Sequence, residues 1–471
     1  MYIVASGTDL DKKGWDALSA SAVDKYSLTE GSIVRKLFSV ATPLILTQVL
    51  QMTYNLTDMF WLGRHSDSAV AASGTVGLFL WMSMAFMLFG RMGAEIGVSQ
   101  SFGQGDKAKA RAFAQNAIFV SIVIGTALSV LVFLAHEQLV SLFRIQEAHV
   151  ERYAKDYLSM VSLSFPMTFL SAAIMGIFNG SGNTRTSMVI GGAGFLTNMI
   201  LTPILIFTAG MGVAGAGLAT VFAHSVAAIL GVVLLKMYKN RPFAEFKFFV
   251  PVNLAVVKQI FRWVTPISTE SFFFTALTMM VTLLIVEFGE GAMAATRVSS
   301  QVESLTWLIG GGFASALTSF TGQNFGAGKW TRITRGFKVS SCIMSLWGLA
   351  VAFILLFGGR FLVGLFVSPE VAELGAINLR IFAICQIPQC LEGVAAGVFR
   401  GQGKTVPPSI SSITSNVARV ILAYVLVHFT DLGLYGIWIA LALGATLRGI
   451  WIYVWYCFYS KKVPKTDVSP A

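Results

Sequence analysis

About twelve apolar runs follow one another between residues 34 and 459, each about as long as, or longer than, the roughly 20 residues that carry a helix across a bilayer. Within hydrocarbon the backbone must satisfy its own hydrogen bonds, so runs of this length read as spanning helices. They fall near 34–62, 69–104, 108–135, 150–179, 185–208, 213–237, 257–287, 292–327, 332–359, 371–400, 406–429 and 434–459. The second and eighth, at about 36 residues or about 54 Å of helix, exceed an upright span and are expected to tilt or protrude. Composition agrees, with 55% hydrophobic and 12% charged residues, against about 25% charged in soluble domains. The expected fold class is therefore an all-α integral membrane protein. In such a chain the net charge of +11 is a question of sidedness, not a nucleic-acid signature. Lys and Arg favour one set of connections by about four to one, which puts both termini in the cytoplasm. The chain is expected in the inner (plasma) membrane of the cell as a multi-pass protein. The four cysteines lie in apolar helical segments, without zinc spacing or a secreted disulfide pattern. No metal and no cofactor is expected, and no nucleic-acid partner.

The chain also repeats itself. Ala41-Thr42-Pro43 returns as Val264-Thr265-Pro266, Ala69-Val70-Ala71-Ala72 as Ala292-Met293-Ala294-Ala295, and Gln100-Ser101-Phe102-Gly103-Gln104-Gly105 as Gln323-Asn324-Phe325-Gly326-Ala327-Gly328. One offset of about 223 residues relates all three. Gly176-Ile177-Phe178-Asn179-Gly180 matches Gly397-Val398-Phe399-Arg400-Gly401 with a small gap. Six spans per half is an even number, so the copies share one orientation and form a parallel repeat. The expected domains are a mixed-charge cytoplasmic tail (1–32, with no signal-peptide pattern), an N-lobe (33–237), a cytoplasmic connection (238–256), a C-lobe (257–459) and a cytoplasmic tail (460–471). The connection carries Lys239, Arg241 and Lys247 among Phe243, Phe246, Phe248 and Phe249, which suits the lipid interface.

Chemistry concentrates in a few polar positions. In the first span Thr47, Gln51, Tyr54, Asn55 and Asp58 share one helix face. A carboxylate there costs about 2.5–3.5 kcal/mol unless it is neutral, paired or wet. Tyr54 and Asn55 are placed to donate hydrogen bonds to it. An Asp that only ties two helices together is the plainer alternative. Arg91 and Glu95, four apart on the second span, can pair on one face. The corresponding repeat positions are Ala314 and Thr318, so the lobes share a frame but not a chemistry. In the C-lobe, Glu270 follows Pro266, and Arg297, Gln301, Glu303 and Trp307 lie on the eighth span. Arg419 and Arg448 read as packing or interface residues. Met and Phe residues such as Met82, Met87 and Phe273 supply adaptable apolar surface.

These features together resemble the multidrug and toxic compound extrusion (MATE) family over essentially the whole chain after residue 32. The Gln-x-x-Gly-x-Gly ends of spans two and eight, the helix count and the repeat carry the resemblance. Gln51-x-x-Tyr54-Asn55-Leu56-x-Asp58, with Pro43 fifteen positions before the Asp, resembles the DinF-like branch, as does Ser300-Gln301-x-Glu303-Ser304. The resemblance implies that Asp58 is the protonatable group of the N-lobe, that Pro43 and its repeat Pro266 are bends, and that Asn198 belongs to the same network. A second acid of some members is Thr202 here. The acid of the NorM-like branch on span ten falls near Gln389, with Glu392 one turn later.

The expected function is secondary-active antiport. Amphiphilic, often cationic compounds would leave by alternating access in exchange for protons or sodium, through a monomer with a cleft lined by Glu270, Glu303 and their neighbours. A lipid-linked oligosaccharide flippase calls for a more cationic cavity. A membrane enzyme calls for a catalytic cluster, and the five histidines are scattered. Single cysteines at Lys107, Arg185, Lys239, Lys329 and Lys404 should react with impermeant maleimide only from the cytoplasm, and those at His65, Glu147 and Glu290 only from outside. Labelling of Lys239 and Glu147 from one side would overturn the six-plus-six topology.

Overall fold

The computed structural model describes residues 26–145, 147–238, 241–248, 250–463 and 467. Most of the two expected tails, together with Lys239 and Phe249 of the connection, lies outside the described residues. No strand occurs among those described. The helices are α1 (Ile33–His65), α2 (Asp67–Gly103), α3 (Lys107–Ser141), α4 (Ala148–Ser162), α5 (Phe165–Gly180), α6 (Thr184–Pro203), α7 (Gly212–Met237), α8 (Leu254–Val286), α9 (Glu290–Gly326), α10 (Trp330–Gly364), α11 (Pro369–Ala383), α12 (Gln386–Gly401), α13 (Val406–Phe429) and α14 (Gly433–Lys461). Spans four and ten, expected as continuous, are each broken. The α4–α5 pair bends by 49° and the α11–α12 pair by 51°. Pro166 and Pro388 lie in the first turn after each break, where a missing N–H is tolerated. With each pair counted as one, twelve rods remain among the described residues. Pro43 and Pro266, expected as bends, sit inside helices that run on without a break. A single π-helical turn, Ile204–Thr208, extends α6.

The chain divides into two compact units, and the division does not follow the connection between halves. One unit holds Val49–Arg262, the other Ser32–Gln48 and Trp263–Ser469. The boundaries thus fall inside α1 and α8. In the second unit, Ile45 packs where a Cβ on Gly312 would stand, and Phe38 meets Phe313 edge-on at 5.8 Å. In the first, Ile260 packs against Gly93 and Phe261 lies 4.8 Å from Phe89. The connection, expected at the lipid interface, also turns two of its rings toward the helices. Phe243 and Phe246 are buried, and Phe243 packs on Phe102 at 5.9 Å. Backbone groups of Lys247 and Asn253 bond to Gln115 and Asn116 of α3, so polar anchors draw this segment inward.

The repeat holds at the level of single hydrogen bonds. Gly105 and Gly328 both have positive φ, 74° and 67°. Around them Gln104 N–H bonds to Gln100 O and Ala327 N–H to Gln323 O, each at 3.0 Å. This is a helix end closed by a left-handed glycine. The next helix starts differently in the two halves. Asp106 caps α3 by accepting from Lys109 N–H, but its counterpart is Lys329, which cannot accept. Thr331 of α10 instead donates its N–H and Oγ1 to Asp467 at 3.0 and 2.7 Å. Those bonds hold the Asp467 carboxyl below the usual carboxylate range.

Paired helices approach through glycine in both halves. A Cβ on Gly180 would stand 2.7 Å from Glu95 O, and one on Gly397 or Gly401 would stand 2.6 Å from Ala314 O or 2.5 Å from Thr318 O. Gly180→Val and Gly401→Val should therefore each lower stability by about 1–3 kcal/mol or more through overpacking. Gly77→Ala, with nothing within 4 Å of the new Cβ, should be neutral or stabilising by up to about 1 kcal/mol. Thermal unfolding of the purified protein in detergent reads all three.

Candidate functional site

In the first unit the polar face of α1 meets α4, α6 and α7. Asp58 is partly exposed. Tyr157 Oη donates to Asp58 Oδ2 and Thr202 Oγ1 to Oδ1, each at 3.5 Å. Thr202 Oγ1 also lies 2.9 Å from Asn198 Oδ1, and Asn198 Nδ2 donates to Thr220 Oγ1 at 3.3 Å. Thr202 carries one hydroxyl proton, so it can serve Asp58 or Asn198 at a given moment but not both. Asn198 and Thr202 are almost fully buried, at 1% and 0% exposure. Thr202, which stands where some members have a second acid, thus links Asp58 to Asn198.

The expected donors do not. Tyr54 stacks on Phe195, with ring centroids 5.5 Å apart and planes 15° apart, and Asn55 is exposed. Tyr157 and Thr202 take their places because an i, i+4 spacing on one helix competes with side chains that packed neighbours bring in directly. Tyr157 and Thr220 escaped sequence reading; neither sits in a local motif. Gln51 is half-buried on α1. Arg91 and Glu95 do not form the expected pair. Glu95 is fully buried, Arg91 is half-buried, and Arg91 is within ion-pair distance of no acid among the described residues.

The second unit gathers a denser set of charges on α8, α9, α12, α13 and α14. Arg400 Nη2 lies 3.3 Å from Glu270 Oε2, to which Ser409 Oγ donates at 3.1 Å. Arg448 Nε donates to Glu392 Oε2 at 2.8 Å, and its guanidinium stands 5.5 Å from the Trp307 ring centre. Glu303, 8% exposed, accepts from Gln389 Nε2 at 3.1 Å. The expected Glu270, Glu303, Trp307, Gln389 and Glu392 thus all take part in this charged group, Glu303 and Gln389 buried, Glu270 and Glu392 half-buried and Trp307 exposed. Arg297 and Gln301 do not join it; both are exposed on α9. Arg400 and Ser409 complete the group unforeseen. A charge inside the repeated Gly-x-Phe-x-Gly motif was the available signal for Arg400, and Ser409 had none.

A cavity of about 20 Å³ borders Glu303, Thr296, Ser299, Asn378 and Trp438. It has room for one water, against the roughly 300–1,000 Å³ of drug-sized sites. A cavity of about 420 Å³ lies between α3 and the connection, lined by Gln115, Phe119, Phe248 and Pro251, and none of the expected site residues borders it. Among the described residues no three His, Cys, Asp or Glu side chains converge as a metal site.

Twelve helical rods among the described residues, in two halves that repeat one frame and carry unlike polar clusters, are the architecture of a membrane transporter. The chain belongs to the MatE family: the family model matches residues 43–204 and 266–425, two blocks set apart by the offset of the internal repeat. It is a transporter and not an enzyme. The probable multidrug resistance protein NorM of Thermotoga maritima is 29% identical over 416 residues, covering 87% of this chain and 89% of the relative. The protein of the same name from Neisseria meningitidis is 26% identical over 429 residues, covering 88% and 92%. A crystal structure of MATE in the bent conformation superposes with a TM-score of 0.86 at 22% identity, covering 94% of this chain and 98% of that one. An outward-facing MATE family multidrug transporter gives 0.87 at 22% identity, covering 93% and 98%.

Removing one partner of a buried ion pair costs about 3–5 kcal/mol. Arg448→Met should therefore abolish the monodisperse peak in detergent size-exclusion chromatography. Arg448→Met combined with Glu392→Gln should recover most of it, because no unpaired charge is left behind.

Proposed function

We propose that the chain is an antiporter of the DinF-like branch that exports amphiphilic, often cationic compounds in exchange for protons or sodium ions. It would work as a monomer in the inner membrane, with both termini cytoplasmic. The names of the NorM relatives support drug export. The observation that carries the coupling is the chain of hydrogen bonds from Asp58 through Thr202 and Asn198 to Thr220.

A charged Asp58 accepts hydrogen bonds only, and holds the hydroxyls of Tyr157 and Thr202. A neutral Asp58 carries its own proton and can donate, which frees Thr202 to serve Asn198. Protonation, or sodium replacing a hydroxyl donor, would thereby reset contacts among α1, α4, α6 and α7. Hydrogen bonds to a charged group contribute about 1.5–3 kcal/mol, comparable with the gaps between conformations that ligands bias. One monovalent drug cation exchanged for one proton is electroneutral and draws about 1.4 kcal/mol per pH unit. The membrane potential adds about 2.3 kcal/mol per 100 mV for each net charge moved. In the second unit, Glu270, Glu303 and Glu392 balance Arg400, Arg419 and Arg448 in number, which disfavours a flippase for a pyrophosphate.

Asp58→Asn, which cannot become charged, should still bind dye but should lose uphill efflux in proteoliposomes by about tenfold or more, the scale of a charge-assisted contact. Drug-evoked acidification or sodium uptake should vanish with it. Undiminished uphill efflux by Asp58→Asn would remove this residue from coupling.

A further inference from the structure

The cavity of about 420 Å³ lies wholly within the first unit, away from every residue given a role in transport. Two hydrogen bonds account for it. Gln115 Nε2 donates to Lys247 O at 2.8 Å, and Asn253 N–H donates to Asn116 Oδ1 at 2.9 Å. Adjacent residues of α3 thus hold both ends of a stretch that would reach about 20 Å if extended, so the stretch has to bow away from the helix. The cavity lies between them, walled by Phe119 on α3 and by Phe248, Val250, Pro251 and Val252 on the bow. Phe119, Pro251 and Val252 are exposed, so these apolar walls open to the surroundings. The volume falls within the roughly 300–1,000 Å³ of small-molecule sites.

Cations stand beside this cavity. Lys236, in the last turn of α7, places its Nζ 5.2 Å from the Phe248 ring centre. Lys247 is exposed at the start of the bow. Arg111 is half-buried one turn before Gln115 on the same face of α3, and its Nε is buried without an acceptor. None of the three is ion-paired among the described residues. Along α3 the face therefore reads charge, amide, ring, at Arg111, Gln115 and Phe119. The 35 residues of α3 make about 52 Å of helix, against about 30 Å of hydrocarbon. A centred α3 extends about 11 Å into the headgroups at each end. Arg111, about 6 Å from the helix start, lies at headgroup level, and Phe119, about 18 Å in, lies in hydrocarbon.

We infer that this cavity binds one anionic phospholipid, its phosphate among Arg111, Lys236 and Lys247 and an acyl chain beside Phe119 beneath the bow. Three unpaired cations repel a cationic amphiphile, and a soluble phosphate leaves the apolar walls uncovered. A lipid of negative charge answers both. With the connection cytoplasmic as proposed above, the site faces the leaflet that holds the anionic headgroups. The site stands whether or not the chain exports drugs.

Native mass spectrometry of the purified full chain, titrated with dioleoyl phosphatidylglycerol or dioleoyl phosphatidylcholine, reads binding of the first lipid. Phosphatidylglycerol should bind tighter by about tenfold or more, since each Lys or Arg near an anionic headgroup contributes about fivefold. Lys236→Gln combined with Lys247→Gln should weaken phosphatidylglycerol by about tenfold or more and change phosphatidylcholine by less than about twofold. Both side chains are exposed, and unchanged thermal unfolding in detergent checks the fold of the double variant. A second measurement needs no variant: phosphatidylglycerol with a diazirine in one acyl chain should crosslink the wild type within residues 115–119 and 248–252. Equal affinity for the two lipids, a folded double variant of full affinity, or crosslinking confined to other segments would overturn the site. So would displacement of the lipid by an equal concentration of glycerol phosphate, for which the headgroup suffices, or of tetraphenylphosphonium, for which the cavity accepts a cation.

Discussion

A charge taken into a helical membrane unit has to be met by a group that another helix of that unit supplies. The rest of this structure follows from how that demand is answered. In the second unit two acids are met by arginines, at 3.3 Å for Glu270 and 2.8 Å for Glu392. In the first, among the described residues, Asp58 is met only by hydroxyls at 3.5 Å. A carboxylate bonded to an arginine ties its helices together through an opposite charge. One held by two long hydroxyl contacts can change protonation or partner, which suits a coupling group. Asp58 and Glu303 form no ion pair among the described residues, and both were singled out for transport chemistry by the sequence.

The two halves can differ this much because their common frame is made of backbone. Gly180 and Gly401 let α5 and α12 come against the carbonyls of Glu95 and Thr318, and positive-φ glycines close the helix ends of both copies in the same way. Carbonyl oxygens are the same whatever side chain follows them. Glu95 and Thr318 could therefore diverge without disturbing the approach. Asp106 and Lys329 diverged likewise at a helix start, and there Asp467, distant in sequence, provides the acceptor that Lys329 lacks.

Approximate helix limits and the repeat were legible because they depend on short-range properties: apolar run length, glycine at helix ends and a constant offset. Asp58, Glu270, Glu303 and Glu392 were legible as sites for an equally local reason, since a carboxylate inside an apolar run is expensive wherever the run ends up. Partners were less so. Tyr54 and Asn55 share a face with Asp58, yet Tyr157 and Thr202 reach it, from 99 and 144 residues away.

Sequence alone thus determined that this chain is an all-helical membrane protein of two related halves with an acid in its first span, because spanning length and helical periodicity act residue by residue. Only the tertiary structure decided that the units divide within α1 and α8, that spans four and ten break, and that Tyr157 and Thr202 meet Asp58. The physical reason is that periodicity orients each face of a helix but says nothing of which other helix will cover it. That choice is made by close packing between segments whose connecting loops impose little register, and the hydrogen bonds and ion pairs form among whatever side chains the packing brings together.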